Sequence, residues 1–246
     1  MPTVHKKQPS LLTTSISVKK RSSPNNPVGR PVGRDSEQTR TAILDTAEAL
    51  ISELGYDGAS IRDIANQCNI QAAVVGYHYG TKLDLFNAVV ERRAVIINDA
   101  RRQALIAALA KQKSAPLAIE ALVTMYVSPL LEATSHGDQG WRNFASLMGR
   151  LANSPRGTEM INQHYSEVAA LYMGEFRRAL PAMPDGRLVD GFLYMVSAML
   201  FVCADTGRWE AMAKHVHEKH RDAQAVLDDF VPFMSGGFKS LTSIKI

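Results

Sequence analysis

The chain has only two cysteines, Cys68 and Cys203, in 246 residues. That is too few for a disulfide framework, and together with ten methionines it fits a reduced compartment. No stretch near the start has the continuous apolar core of a signal peptide. The longest apolar run, Gly191 to Cys203, is short for a bilayer span, so no membrane segment is expected and the cytoplasm is the expected location. Period-2 alternation is not sustained anywhere, which argues against a sheet. Paired Glu-x-x-His ligands, a nucleophile elbow and a phosphate-cradling glycine loop are all missing, so no enzyme and no cofactor are expected.

Acidic residues are absent up to Arg34. The same stretch holds seven of the 28 basic residues, and the rest of the chain therefore holds 21 basic against 24 acidic. The positive excess of this +4 protein lies in its leader. Pro24, Pro27, Gly29, Pro31 and Gly33 break regular structure there, and residues 1–35 read as a disordered basic arm suited to a polyanion.

From Ser36 onward the pattern is helical. Ile43, Ala47, Leu50, Ile51 and Leu54 recur at three- and four-residue spacing, and Gly55 follows where a helix end favours a left-handed residue. Between Ser60 and Tyr79 two short helical patterns flank a break at Cys68-Asn69-Ile70. Ser60 is suited to cap the first, with Asp63 three residues on. Ile61, Ile64 and Ala65 face inward, Asn69 takes the tight turn, and the second helix buries Val75 while turning Gln71, Ala72, Gly76 and Tyr77 outward. Two helices joined so tightly cross steeply, and one can project into a DNA major groove.

Longer helices are expected over 82–113, 116–132, 138–153, 158–180, 186–207 and 221–241. Trp141, Phe144, Met148, Met173, Phe176, Met195 and Met199 form either a plain core or an adaptable apolar ligand pocket. Arg142 and Arg150 are candidate anchors for a carboxylate or phosphate, or else face solvent. The apolar helix over 186–207, with Phe192, Met195, Val196, Met199, Leu200 and Cys203, can pair with Leu227, Phe230, Val231, Met234 and Phe238 and their copies in a second subunit. His215, His217 and His220 do not share one helix face, so a solvated linker is expected and no metal site. Cys68 reads as a small core residue.

The stretch from Thr39 to Phe86 resembles the DNA-binding domain of TetR-family regulators. Ile43-Leu44 with Ala47, Gly55-Tyr56, Ser60-Ile61, Ile64-Ala65 and Tyr77-His78-Tyr79-Gly80-Thr81-Lys82 stand in the family's register. The resemblance implies an all-α protein of about nine helices. Residues 36–82 would form a helix-turn-helix domain, and 83–246 a helical ligand-binding and dimerisation domain.

It also implies roles at matching positions. Ser60 and Arg62 would touch phosphate or a nearby base edge, His78 and Lys82 would hold the DNA backbone, and base readout would fall to Gln71, Ala72, Ala73, Gly76 and Tyr77, the tyrosine contacting base or phosphate. Gly76 departs from the family, which commonly has tyrosine there, and Tyr79 would be a buried aromatic. Arg30 and Arg34, just ahead of the first helix, can enter an A/T-rich minor groove. The function implied is a homodimeric, ligand-responsive repressor of double-stranded operator DNA, released by a small-molecule effector. An activator of the same fold and a nonspecific nucleoid-type protein are the alternatives.

Overall fold

The structure is a computed structural model that describes residues 32–112, 114–214 and 222–243. The described residues form ten helices and no strand. The first, α1 (Val32–Gly58), buries Ile43, Ala47, Leu50 and Ile51. Leu54, expected on that apolar face, is instead 48% exposed. The helix breaks at Gly55, whose φ of 76° is the left-handed conformation that an unbranched backbone adopts without cost. It starts at Val32, four residues before the expected Ser36, which shortens the basic arm at its C-terminal end.

Two short helices follow, α2 (Ile61–Gln67) and α3 (Ala72–Tyr79). Ser60 caps α2: its Oγ accepts from Asp63 N at 3.1 Å and donates to Asp63 Oδ2 at 2.5 Å. Asn69 takes the turn at φ 54°. Next, α4 (Lys82–Gln112) opens on a reciprocal cap, with Thr81 N and Oγ1 donating to Asp84 Oδ2 and Asp84 N donating to Thr81 Oγ1. Those Thr81 bonds hold the Asp84 carboxyl below the usual range. At 31 residues α4 is the long strut of the molecule, roughly 45 Å by helix rise. Its first turns pack on α1 and α3, and its later turns enter the C-terminal bundle.

That bundle contains α5 (Ile119–His136), α6 (Gln139–Ala152), α7 (Pro155–Ala179), α8 (Asp185–Cys203), a short α9 (Arg208–Ala213) and α10 (Ala223–Ser243). Asp138 and Ser154 cap α6 and α7 through their side chains. Phe144, Ala145, Leu147, Met148 and Leu151 give α6 a continuous buried face. Phe176 on α7 stacks on Phe238 of α10 with centroids 4.6 Å apart. Gly191 on α8 permits this, since a Cβ there would stand 2.8 Å from the Phe238 ring. Truncating either phenylalanine would cost about 3–5 kcal/mol. The helix α9 was not expected from the sequence pattern, and it accounts for ten described helices instead of nine.

Two expectations about α8 need correction. Its 19 residues, at a mean hydropathy of 1.5, are long and apolar enough to cross a membrane by length and composition alone. Here α8 is packed instead against α5, α6, α7 and α10. Its expected interface residues Phe192, Met195, Met199, Leu200 and Cys203 are buried within the protomer, as are Leu227, Phe230 and Phe238 of α10. The exposed apolar side chains are different ones: Val189, Leu193, Tyr194, Phe201 and Val202 on α8, and Phe233 on α10. Apolarity all round the helix had concealed which stripe the subunit keeps for itself.

Candidate nucleic-acid interface and effector cavity

Gln71, Ala72, Ala73, Gly76 and Tyr77 are all exposed and form one ridge on α2–α3, backed by Val75 (0% exposed) and Tyr79 (9%). Tyr77 is 85% exposed, with its ring edge-on to His78 at 5.2 Å. Such exposure of a large aromatic has no packing reward and leaves the ring available to a partner. Gln71 stands at the N-cap of α3 without using its side chain there. A Cβ at Gly76 would meet nothing within 4 Å, so this glycine is not required by packing.

The flanking residues are held more firmly. Ser60 is engaged with Asp63, while Arg62 is exposed. His78 is half-buried, and Lys82 places its ammonium 4.5 Å from the Tyr56 ring centroid. Cys68 donates to Thr46 Oγ1 at 3.2 Å and to Ala42 O at 3.6 Å, in keeping with a small packed residue. Tyr79 anchors α3 to α1 by donating to Arg40 O at 3.0 Å. Burial raises the Tyr79 phenol against the opposing pull of Arg40.

Sequence reasoning missed Arg40 as a candidate contact. Its guanidinium lies 5.0 Å from the Tyr79 ring, and Nη1 donates to His78 O at 3.4 Å, which brings a half-exposed cation beside the end of the ridge. Only the tertiary crossing of α1 and α3 reveals this. Arg30, His215, His217 and His220 lie outside the described residues, and Arg34 enters only as a backbone position in the first turn of α1. No cluster able to hold a metal occurs among the described residues.

The C-terminal bundle encloses a cavity of about 440 Å³ between α4, α5, α6, α7 and α8. Phe144, Met148, Met173 and Met199 line it as expected. Trp141, Phe176 and Met195 do not. Trp141 sits at the end of α6 under the Arg93 guanidinium at 4.5 Å, Phe176 is spent on Phe238, and Met195 is wholly buried in the core. Arg142 donates to Gln139 Oε1 and Thr134 O and borders a second hollow between α5, α8 and α10, while Arg150 is exposed near Gly55. Neither expected arginine lines the 440 Å³ cavity. Arg101 does line it, and it carried no local sequence signal.

A buried ion cluster joins the two halves. Glu48 of α1, 1% exposed, accepts from Arg93 Nε at 2.5 Å and Nη2 at 2.9 Å and from Arg92 Nη2 at 2.6 Å. Arg93 also reaches Asp138, the cap of α6, at 3.2 Å. Thus α4 carries Arg93 at the junction and Arg101 at the cavity, about 12 Å further along. The helix α6 likewise runs from the junction at Asp138 and Trp141 to the cavity at Phe144 and Met148.

Comparisons with known proteins agree with this division. Residues 43–89 match the family described as bacterial regulatory proteins, tetR family, and residues 124–237 match the tetracyclin repressor-like C-terminal domain. Over 49 residues the chain is 43% identical to the biofilm operon icaADBC HTH-type negative transcriptional regulator IcaR of Staphylococcus epidermidis. That match covers 20% of this chain and 26% of that regulator, so it spans about a quarter of the relative. The counterpart in Staphylococcus aureus strain Newman is 41% identical over the same length, again 20% and 26% of the two chains.

Among solved structures, the ketosteroid transcriptional regulator KstR2 of Mycobacterium tuberculosis superposes with a TM-score of 0.54 at 16% identity, covering 80% of this chain and 93% of that one. The hemolysin II transcriptional regulator HlyIIR gives 0.54 at 16%, covering 81% and 98%. At those identities the likeness speaks for the fold. With its helix-turn-helix and its helical C-terminal domain both matched, the chain belongs to the TetR family of bacterial transcriptional regulators.

Proposed function

We propose that the protein is a homodimeric repressor that binds double-stranded operator DNA through α3 and leaves it when a small apolar or amphipathic molecule enters the 440 Å³ cavity. The observation that carries this reading is the ridge Gln71–Tyr77, solvent-exposed on a helix whose opposite face is anchored by Val75 and Tyr79. Gln71 is suited to adenine, and Ala72 and Ala73 to thymine methyls. Tyr77 reaches base or phosphate, while Arg62, His78, Lys82 and Arg40 hold the backbone and Ser60 fixes α2. Arg30 and Arg34 serve the adjoining minor groove.

One recognition helix offers few base contacts, so two copies on half-sites about 34 Å apart supply specificity. Tyr194, Phe201 and Val202 of α8 and Phe233 of α10 are the exposed surfaces we assign to that dimer. Repression is favoured over activation by the naming of the IcaR relatives as negative regulators. Such a protein works where the chromosome is, in the cytoplasm.

Release follows from the shared helices. A ligand that spreads α4 and α6 at the cavity shifts the Arg93–Glu48–Asp138 junction, and with it α1 and the spacing of the two α3 helices. A differential of 1–3 kcal/mol between the two geometries is enough for a useful response. The test starts with sequencing DNA selected by the purified protein, then measures binding of that DNA by the Tyr77→Ala variant. We expect operator affinity to fall about tenfold, ~1.4 kcal/mol, with the dimer intact. Wild-type affinity in the variant, or loss of the dimer, would mean that α3 does not read DNA.

A further inference from the structure

Arg101 is 1% exposed, yet no carboxylate lies within ion-pairing distance of it among the described residues. Its Nε donates to Tyr126 O at 2.8 Å, Nη2 points at Met199 Sδ at 3.4 Å, and the guanidinium lies 3.8 Å from the Tyr126 ring centroid. These contacts fix its plane without neutralising its charge. Tyr172 donates to the Arg101 carbonyl at 2.9 Å, which pins the same turn of α4 against α7. Among the described residues the third nitrogen, Nη1, has no hydrogen-bond partner, and it is not one of the fully enclosed polar atoms. Arg101 lines the cavity, and Nη1 is the nitrogen it has left for a guest.

The rest of the wall makes the charge conspicuous. Among the described residues the lining contains no Asp, Glu, Lys or His, and Arg101 is the one ionised side chain in it. Around it stand Ile97, Leu130, Phe144, Met148 and Phe192. Tyr165, a buried residue, also lines the cavity, within the electrostatic reach of Arg101, and burial raises its phenol well above the ordinary range. It therefore stays a donor at neutral pH. The cavity opens between α7 and α8, where Asn162, Ser166, Leu193 and Ser197 are exposed. A buried cation without a counter-ion is costly, and a ligand that brings an anion recovers that cost through charge-assisted hydrogen bonds.

We infer that the cavity is built for an amphiphilic organic monoanion, whose carboxylate is received by Arg101 Nη1 with the Tyr165 hydroxyl beside it and whose apolar body fills the space lined by α4, α5, α6 and α8. This rests on the reading of the protein as ligand-responsive and names the class of ligand. Specificity then comes from an asymmetry: a neutral molecule of the same shape leaves the guanidinium unpaired, and a cationic one is repelled.

The experiment is calorimetric titration of the full-length protein with octanoate and, separately, with 1-octanol, followed by the same pair on Arg101→Met and Arg101→Lys. In the wild type octanoate binds at least tenfold more tightly than 1-octanol. In Arg101→Met the preference disappears while 1-octanol still binds, and in Arg101→Lys part of it returns. Equal affinities in the wild type, failure of both probes to bind, or an unchanged preference in Arg101→Met would overturn the inference. The wild-type comparison decides even if a variant does not fold. Operator release, followed by fluorescence anisotropy of labelled DNA, separates the two ideas. Octanoate that binds with the stated preference but releases no DNA supports the anion site and defeats the effector reading. Release by 1-octanol together with weaker binding of octanoate keeps the effector reading and defeats the anion site.

Discussion

Replacing Glu48 tests the junction between the two domains most directly. Its side chain is 2% exposed and is shared by Arg92 and Arg93, with three contacts between 2.5 and 2.9 Å. Removing one member of a buried ion pair typically costs about 3–5 kcal/mol, because the partner is left charged and desolvated. The arginines here are not abandoned altogether: Arg92 retains Asp45 at 2.6 Å, and Arg93 retains Asp138 and the Trp141 ring. The lower end of that range applies, so Glu48→Ala is expected to lose about 3 kcal/mol, which for a chain of this length lowers Tm by roughly 6–12 °C.

Urea and thermal unfolding followed by far-UV circular dichroism measure this, at one fixed protein concentration because dimerisation contributes to stability. Glu48→Gln should fall between the wild type and alanine, since it keeps the shape and some hydrogen bonding but not the charge. If both variants stay within about 1 kcal/mol of the wild type, the cluster does not clamp the two domains and the route from cavity to DNA must run elsewhere.

Two further outcomes are expected. Gly76→Tyr should change stability by less than ~0.5 kcal/mol, because a Cβ there meets nothing within 4 Å; a thermal melt checks this, and a loss above ~1 kcal/mol would mean that α3 packs where it is described as open. His164 supplies a pH dependence. Burial lowers its imidazole below the ordinary 6.5, against a smaller opposing pull from Glu91, and its Nε2 is enclosed without a partner. Between that lowered value and 6.5 the unfolded chain binds more protons than the folded one, so this contribution is fully present above 6.5 and is lost as pH falls. The slope of stability against pH in this window should flatten in His164→Gln, and an unchanged slope would assign it to other groups.

The helix-turn-helix was legible residue by residue because its signals are local. Ser60 and Asp63 cap within one turn, Asn69 and Gly55 carry the positive φ their positions demand, and three- and four-residue spacing separates Val75 from its exposed neighbours. Existence and order of the longer helices in the C-terminal half were legible for the same reason, whereas the six-residue α9 was not. Which apolar stripe goes inward was not, since α8 is apolar on nearly every side and only its packing against α5, α6, α7 and α10 consigns Phe192 to the core and Leu193 to the surface. The pocket was half readable: Phe144, Met148, Met173 and Met199 line it, while Trp141 and Phe176 were claimed by Arg93 and Phe238 from other helices. Arg101 was invisible in a helix rich in arginine, because its neighbour Arg102 pairs with Asp99 and Glu167 at the surface and a rotation of one residue about the helix axis separates the two environments. A chain encodes its helices through neighbours a few residues apart; burial of a charge is decided by what the other helices bring.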